Sequence, residues 1–217
     1  RQGTELKSYY IESSFSDVSG GFVQGFRGCR LTGMSLSIKS GELVTMEVTV
    51  MGSKGPSSTS TATGSIAPAP ASELSPSMAA GVSVGCLLVD NATDSNFNLS
   101  EMSLDLDNKA ESVAVITQDS PFEIVFGKST VKGSDSVLFA SRALYLKYEN
   151  QTDMSKSVRL TNARGDMFIF TVPRQKFPSG MDVVLESENK TIVVAAEFVG
   201  VKEPVTGCSL QIDRLIA

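Results

Sequence analysis

The feature that most constrains the fold is an alternation of apolar and polar residues between positions 34 and 50. The apolar positions, on both sides of Ser40-Gly41, are Met34, Leu36, Ile38, Val44, Met46, Val48 and Val50. A period of two is typical of β-strands with one apolar face and one water-facing face. Gly41 suits a tight loop that needs a residue tolerant of positive φ. The sequence therefore predicts a long antiparallel hairpin whose apolar face something must cover.

Shorter strand patterns follow along the chain. They predict strands over residues 10–15, 22–29, 82–89, 99–107, 113–116, 122–126, 129–132, 158–161, 167–172, 183–186, 191–201 and 209–215. The sequence Asn-Ala-Arg-Gly-Asp at 162–166 indicates a hairpin loop. Pro173 is expected to end the strand before it or to mark an edge strand, because proline has no amide hydrogen to donate.

One segment has helical spacing instead. Its apolar residues at intervals of three and four are Val137, Ala140, Leu144 and Tyr148. They predict a helix over residues 136–150, with Ser134 or Asp135 as its N-cap. Many short strands with one helix favour a mainly β fold, an antiparallel β-sandwich or barrel with one packed α-helix. A chain of 217 residues fits a single domain over residues 1–217.

Residues 52–81 differ in composition from the rest of the chain. Ser, Thr, Ala, Pro and Gly dominate, and large apolar side chains are almost missing. Such a segment buries too little surface to offset the entropy lost on ordering. We expect a flexible low-complexity loop. It is either a solvent loop or one that orders only against a neighbouring subunit.

The composition argues against several kinds of site. There is no histidine, so the usual general base and the commonest metal ligand are missing. The formal net charge is −5, without the basic stripe that holds DNA. The widely spaced Cys29, Cys86 and Cys208 are expected to be buried reduced thiols. We expect no enzymatic activity, no cofactor or metal, no membrane span, and only non-adhesive contact with nucleic acid.

Two carboxylates have a spacing that a catalytic pair could use. Asp105 and Asp107 lie on one face of a predicted strand, about 7 Å apart. Inverting glycosidases use a comparable separation. Two acids on a water-facing strand are far more often a solvated face, and we interpret them in that way.

Several motifs, taken in order, carry a resemblance to a known family. They are Arg-Gly-Cys-Arg at 27–30, Met-Ser-Leu-Ser-Ile-Lys at 34–39, Gly-Glu-Leu-Val-Thr at 41–45, Met-Ser-Leu-Asp-Leu-Asp-Asn at 102–108, the segment 135–149, Phe-Ile-Phe-Thr-Val-Pro-Arg at 168–174 and Leu-Gln-Ile-Asp-Arg at 210–214. Their order and spacing resemble the tail tube proteins of long-tailed (siphovirus-type) bacteriophages, in which the segment 135–149 corresponds to the single helix. The resemblance runs from about residue 10 to the C-terminus and is interrupted across residues 53–81.

This resemblance implies a structural subunit that forms hexameric rings, stacked into a virion tail tube with a DNA-conducting lumen and assembled in the host cytoplasm. It implies tape-measure and tail terminator or tip proteins as partners, and transient passage of viral DNA. The acids that are candidates to face the lumen are Glu42, Glu47, Asp105 and Asp107, with solvent-facing charges on the exterior as the alternative. The loop prolines that are candidates for contacts between rings are Pro56, Pro68, Pro70 and Pro76. The related tubes of contractile tails and secretion systems stay open as possibilities.

The sequence also allows a second class of function. Four Asn-x-Ser/Thr sequences occur, at Asn91, Asn98, Asn150 and Asn189. They would suit a secreted immunoglobulin-like or adhesin-type β-sandwich interaction domain. The odd number of cysteines and the missing tryptophan argue against that alternative.

Overall fold

A computed structural model describes residues 7–15, 17–19, 21–59, 78, 84–90, 97–116, 121–139, 142–150, 152–178 and 192–216. The strands in these ranges are β1 (Tyr9–Phe15), β2 (Phe22–Lys39), β3 (Thr45–Met51), β4 (Lys54–Thr59), β5 (Val84–Val89), β6 (Phe97–Asp107), β7 (Ala110–Val113), β8 (Glu123–Phe126), β9 (Thr130–Phe139), β10 (Met154–Thr161), β11 (Met167–Lys176), β12 (Val193–Gly200) and β13 (Gln211–Leu215). One helix, α1 (Arg142–Glu149), lies between β9 and β10. The fold is mainly β, as the sequence predicts.

Eleven of the thirteen described strands form one antiparallel sheet that curls into a half-barrel, and β7 and β8 form a separate two-stranded sheet. The order of the larger sheet is β1-β2-β6-β9-β12-β11-β10-β5, with β3 and β4 added to β2 and β13 added to β11. The curl occurs between β12 and β11, which pair only through Gln175 with Gly200 and Lys176 with Val199. This short contact lets the β10–β11 half turn back over the β2–β6–β9–β12 half.

The core lies between these two halves. Alternation on β2 turns Met34, Leu36 and Ile38 inward, as the period of two predicts. The buried apolar residues that they join, from both halves of the sheet, are Val89, Met102, Leu104, Val131, Val137, Met154, Val158, Leu160, Phe170, Val172, Phe177, Val194, Ala196, Phe198 and Leu210. Since one continuous core spans both halves, the architecture is a β-sandwich that is closed along one side by the curl.

Strand β2 is longer than predicted. It runs unbroken through 18 residues, whereas the sequence suggested separate strands on each side of Cys29. Its first half pairs with β1 and β4, and its second half pairs with β3 and β6. A bulge between Leu31 and Gly33 lies near the start of the half that pairs with β3. Bulges bend a strand and increase its twist, so β2 can serve two groups of partners.

The predicted helix boundary is wrong. Residues 136–139 belong to β9, and the helix begins only at Arg142. Asp135 is therefore a buried strand residue rather than an N-cap. Pairing of β9 with β6 on one side and β12 on the other outweighs the helical spacing of Val137.

Two further expectations need correction. Lys54–Thr59 form a strand on β2, so the low-complexity segment is not loop along its whole length. Pro173 lies inside β11 rather than at its end, where the register with β10 shifts between Met154 and Lys156. A bulge is one of the few positions where a paired strand accepts proline. The predicted strand at 183–186 lies outside the described residues.

Candidate assembly surface

Strand β3 forms one edge of the sheet. Among the described strands it pairs with β2 alone. The register places Met46 opposite Leu36 and Val48 opposite Met34. Directly paired residues point to the same face of a sheet. The apolar side chains of β3 therefore continue the face that forms the core.

These side chains are nevertheless uncovered. Leu36 and Met34 are 2% and 8% exposed, whereas Met46 and Val48 beside them are 54% and 41% exposed. The β10–β11 half of the sheet covers β2 but does not reach β3. We call the exposed apolar residues along this edge the β3 strip, and they are Leu31, Met46, Val48 and Val50. An apolar strip along an unpaired edge is a surface that a second chain can both pair with and bury.

The opposite face of the same sheet is polar. Ser35 pairs with Glu47 of β3 on one side and with Asp105 of β6 on the other, and Asp105 pairs in turn with Lys132 of β9. One residue row further on, Ser103 and Ser134 are joined by a hydroxyl hydrogen bond of 2.9 Å. We call this surface the polar face, and its members are Ser35, Ser37, Thr45, Glu47, Thr49, Ser103, Asp105, Asp107, Lys132, Ser134 and Glu197.

A groove of about 550 Å³ lies at one end of the polar face, where β6 ends. Glu47, Asp105, Asp107 and Glu111 contribute to its lining. Asp107 accepts a hydrogen bond from the backbone N–H of Lys109 at 2.7 Å, and its other oxygen lies 2.5 Å from Lys109 Nζ. These bonds from Lys109 lower the pKa of the Asp107 carboxyl, so this acid stays charged well into the acidic range.

The structure brings three of the four predicted acids together. Glu47 of β3 and Asp105 and Asp107 of β6 share the polar face, with β2 between these two strands. The fourth, Glu42, lies in the β2–β3 turn, where its carboxylate is 3.7 Å from Lys39 Nζ. Asp105 and Asp107 are both exposed, as expected of a solvated strand face.

The loop prolines are mostly outside this description. Pro56 lies in β4, although its side chain is not described. Pro68, Pro70 and Pro76 lie outside the described residues. Their role at a contact between subunits stays a prediction.

Sequence reasoning missed a cation and an acid of the polar face, Lys132 and Glu197. Lys132 belongs to β9. The sequence predicts only a short strand over residues 129–132 with a helix after it, and this does not identify the cross-strand partners of Lys132. Its pairing with Asp105 and Val199 places it in the middle of the face. The alternation of Val131, Gly133 and Asp135 with Lys132 was the available signal.

The acidic and thiol groups of the described residues were compared with the requirements of a metal site. Among these residues, no group of three or more His, Cys, Asp or Glu residues is arranged to hold a metal ion. Cys29 and Cys208 are buried free thiols. None of the described helical residues forms a helix of the length and hydropathy that a membrane span requires. What the geometry offers instead is two contrasting sheet faces beside an open edge.

Comparison with known proteins agrees with the resemblance noted in the sequence. A family model described as phage tail tube protein matches residues 3–207. A search of the curated proteins found no match.

Proposed function

This chain belongs to the phage tail tube protein family, and on that premise we propose that six copies form a ring, that rings stack into a tube, and that viral DNA passes through the lumen. Membership of the family makes the chain a structural component of the virion tail. The proposal of rings and a lumen is supported mainly by the β3 edge, which has an exposed apolar strip on one face and a polar surface on the other.

Ring closure explains why the β3 strip is exposed. In a monomer, no second described strand pairs with this edge, and its apolar side chains are 39–54% exposed at Met46, Val48 and Val50. Soluble proteins generally protect such edges because they promote aggregation. A neighbouring copy that adds a strand to β3 and packs against the strip would remove the liability, and a closed ring would leave no such edge open.

The size of such a ring suits a DNA conduit. If each of six copies contributes the five neighbouring strands β3, β2, β6, β9 and β12, the wall has ~30 strands. With a spacing of ~4.8 Å and a tilt of ~40°, the backbone circle is about 60 Å across. Side chains of about 5 Å on each wall leave a bore of about 50 Å, wide enough for duplex DNA of roughly 20 Å.

The polar face would line that bore. Glu47, Asp105 and Glu197 project from it beside Lys132, and the register adds Glu101 and Lys39 to the same face. DNA carries about one negative charge per 1.7 Å, and screening limits repulsion to about 8 Å. A sparsely acidic hydroxyl-rich wall therefore discourages adhesion without opposing passage through the centre.

The proposal also includes the partner proteins of the tube and the cell compartment in which it assembles. The tube would assemble in the host cytoplasm around a tape-measure protein, and terminator and tip proteins would cap its ends. Residues 52–81 are proposed to contact the next ring along the tube. The secreted β-sandwich alternative gains no support from any specific contact, and we do not pursue it.

Electron microscopy of the purified protein tests this function. Negative staining across a concentration series should show hollow filaments that appear above a threshold concentration. Filaments without a stain-filled channel would contradict the conduit, and a monomer at all concentrations would contradict assembly altogether.

A further inference from the structure

A small hairpin extends from the main sheet between β6 and β9. Strands β7 and β8 pair only with each other, with Ala110 opposite Phe126 and Val113 opposite Glu123. We call the described residues 110–116 and 122–126 the β7–β8 arm. Neither the family match nor the proposed lumen gives this arm a role.

The base of the arm is firmly attached. The Arg30 guanidinium donates a 2.6 Å hydrogen bond to the carbonyl oxygen of Ile124 and lies 6.0 Å from the centre of the Phe126 ring. The side chain of Ile124 is 2% exposed. The Gly127 amide donates to Lys109 O at 3.0 Å, which closes the hairpin at its base. A hairpin fixed in this way presents its outer side chains without the entropic cost of ordering them on binding.

Those outer side chains include four large apolar ones, beside the exposed Glu111 and Glu123. Phe122 is 63% exposed, and Ile116 is fully exposed at the outer end. Val113 and Val125 lie on the face of the arm that points away from Ile124, and both are exposed. Four large apolar side chains on one projecting element are more than scattered surface hydrophobicity, and such a cluster marks an interaction site.

The strand register locates the arm relative to the β2–β3 turn. Along β6, Glu101 pairs with Lys39, next to the turn, and Asp107 pairs with Gly33, next to the arm. The arm and the turn therefore lie at opposite ends of the same strands, about 20 Å apart for six residues. In the turn, Leu43 is 58% exposed, and Met46 follows it on the β3 strip.

We propose that the β7–β8 arm of one copy docks on the β2–β3 turn of a copy in the next ring, with Phe122 and Ile116 packing against Leu43. This inference rests on the proposed tube. Head-to-tail stacking brings unlike ends of the subunit together, and a contact between different surfaces at opposite ends propagates into an open filament. The position of the arm supplies a second argument. The arm borders the groove on the polar face, beside the proposed bore. If its apolar side chains were not covered by another copy, they would tend to adhere to whatever passes through the bore.

The test compares three variants of the full chain with the native protein by negative-stain microscopy and sedimentation. Phe122→Asp and Ile116→Asp each place a charge on an exposed position, so folding should be unchanged, as circular dichroism can verify. We expect either variant to form rings but to need at least ~10-fold higher concentration to form filaments, since burying an unpaired charge costs more than ~1.4 kcal/mol. Leu146→Ser, on the exposed side of α1, is the matched control and should form filaments as the native protein does.

A charge swap then identifies the partner surface. Leu43→Lys combined with Phe122→Asp should bring the filament threshold back toward the native value. Suppose that the native protein forms filaments and that Phe122→Asp and Ile116→Asp form them at the same concentration. This result would overturn the inference about the arm and would leave the proposed tube intact. A double variant that stacks no better than Phe122→Asp would overturn the assignment of the turn. Absence of filaments from the native protein would instead reject the tube itself.

Discussion

Asp135 and Lys156 form a buried ion pair that joins the two halves of the curled sheet. Lys156 Nζ lies 2.7 Å from each carboxylate oxygen of Asp135, and both side chains are 1% exposed. The ammonium also lies 3.7 Å from the centre of the Phe198 ring, which adds a cation–π contact. Since Asp135 belongs to β9 of the proposed lumen wall and Lys156 to β10 of the outer half, this pair fixes one layer against the other.

Burial dominates the electrostatics of the pair. It raises the pKa of the Asp135 carboxyl and lowers the pKa of the Lys156 amine, against their mutual attraction. The stability contributed by Asp135 is therefore lost as pH rises through its raised folded-state pKa. The stability contributed by Lys156 is lost as pH falls through the lowered folded-state pKa of its amine. At a pH where both groups are charged, the pair carries a desolvation cost that its attraction only partly offsets.

The first prediction follows from that balance. Lys156→Met leaves Asp135 buried without its cation and should lower the free energy of unfolding by about 3–5 kcal/mol in urea denaturation near neutral pH. The double variant Asp135→Val/Lys156→Met removes both charges and should be as stable as the native protein or more so. A double variant that is less stable than the native protein would show that the pair stabilises the fold on balance.

The second prediction concerns the polar face. Carbon-13 NMR titration of the side-chain carboxyl should give Asp107 a pKa below 3.8, because Lys109 donates to both of its oxygens. The depressed pKa means that this contact stabilises the fold above the unfolded pKa and that the stabilisation is lost as pH falls through the folded value. Lys109→Ala should raise the pKa of Asp107. Lys132→Ala is the control and should change it much less, since Lys132 makes only a weaker charge contribution. Equal effects of the two variants would contradict the assignment.

The third prediction concerns the β3 strip. Met46→Asp places a charge on the apolar side of the open edge, and we expect a folded monomer that no longer forms rings in analytical ultracentrifugation. Thr45→Asp is the matched control, because it adds the same charge to the same strand on the opposite, polar face. It should still assemble. Assembly of Met46→Asp at the native concentration would exclude the strip from the contact between copies.

The fourth prediction concerns the low-complexity segment. Replacing residues 61–76 by a short Gly-Ser linker spares β4 and should leave thermal unfolding little changed. If the segment joins rings, the variant should form rings but few filaments. A second variant keeps the native loop length and changes Pro68, Pro70 and Pro76 to serine. Comparing the two variants separates the effect of loop composition from the effect of loop length. Normal filaments from the shortened chain would remove the segment from the contact.

The hairpin was the most predictable element, because a period of two on both sides of Gly41 has one simple solution. Gly41 indeed adopts a positive φ of 82°. The sequence could not show that Met46 and Val48 are exposed while Leu36 is buried, because all of them lie on the same apolar face. Their burial depends on how far the other half of the sheet extends, which is a tertiary property.

The error at Asp135 has a similar origin. An acid before Val137 and Ala140 fits a helix cap in local terms, and only the partner strands β6 and β12 together with Lys156 favour a strand instead. Local propensity decides little when pairing on both sides and a buried counter-ion compete with it. Of the candidate acids, Asp105 and Asp107 were placed correctly on one exposed face because strand alternation alone determines that relationship.

Cryo-electron microscopy of assembled filaments tests the central claim most directly. The account predicts a hollow tube in which the free edge of β3 is hydrogen-bonded to a strand of the neighbouring copy, with Glu47 and Asp105 pointing into the bore. A map in which β3 faces solvent, or in which the polar face lies on the outer surface of the tube, would contradict it.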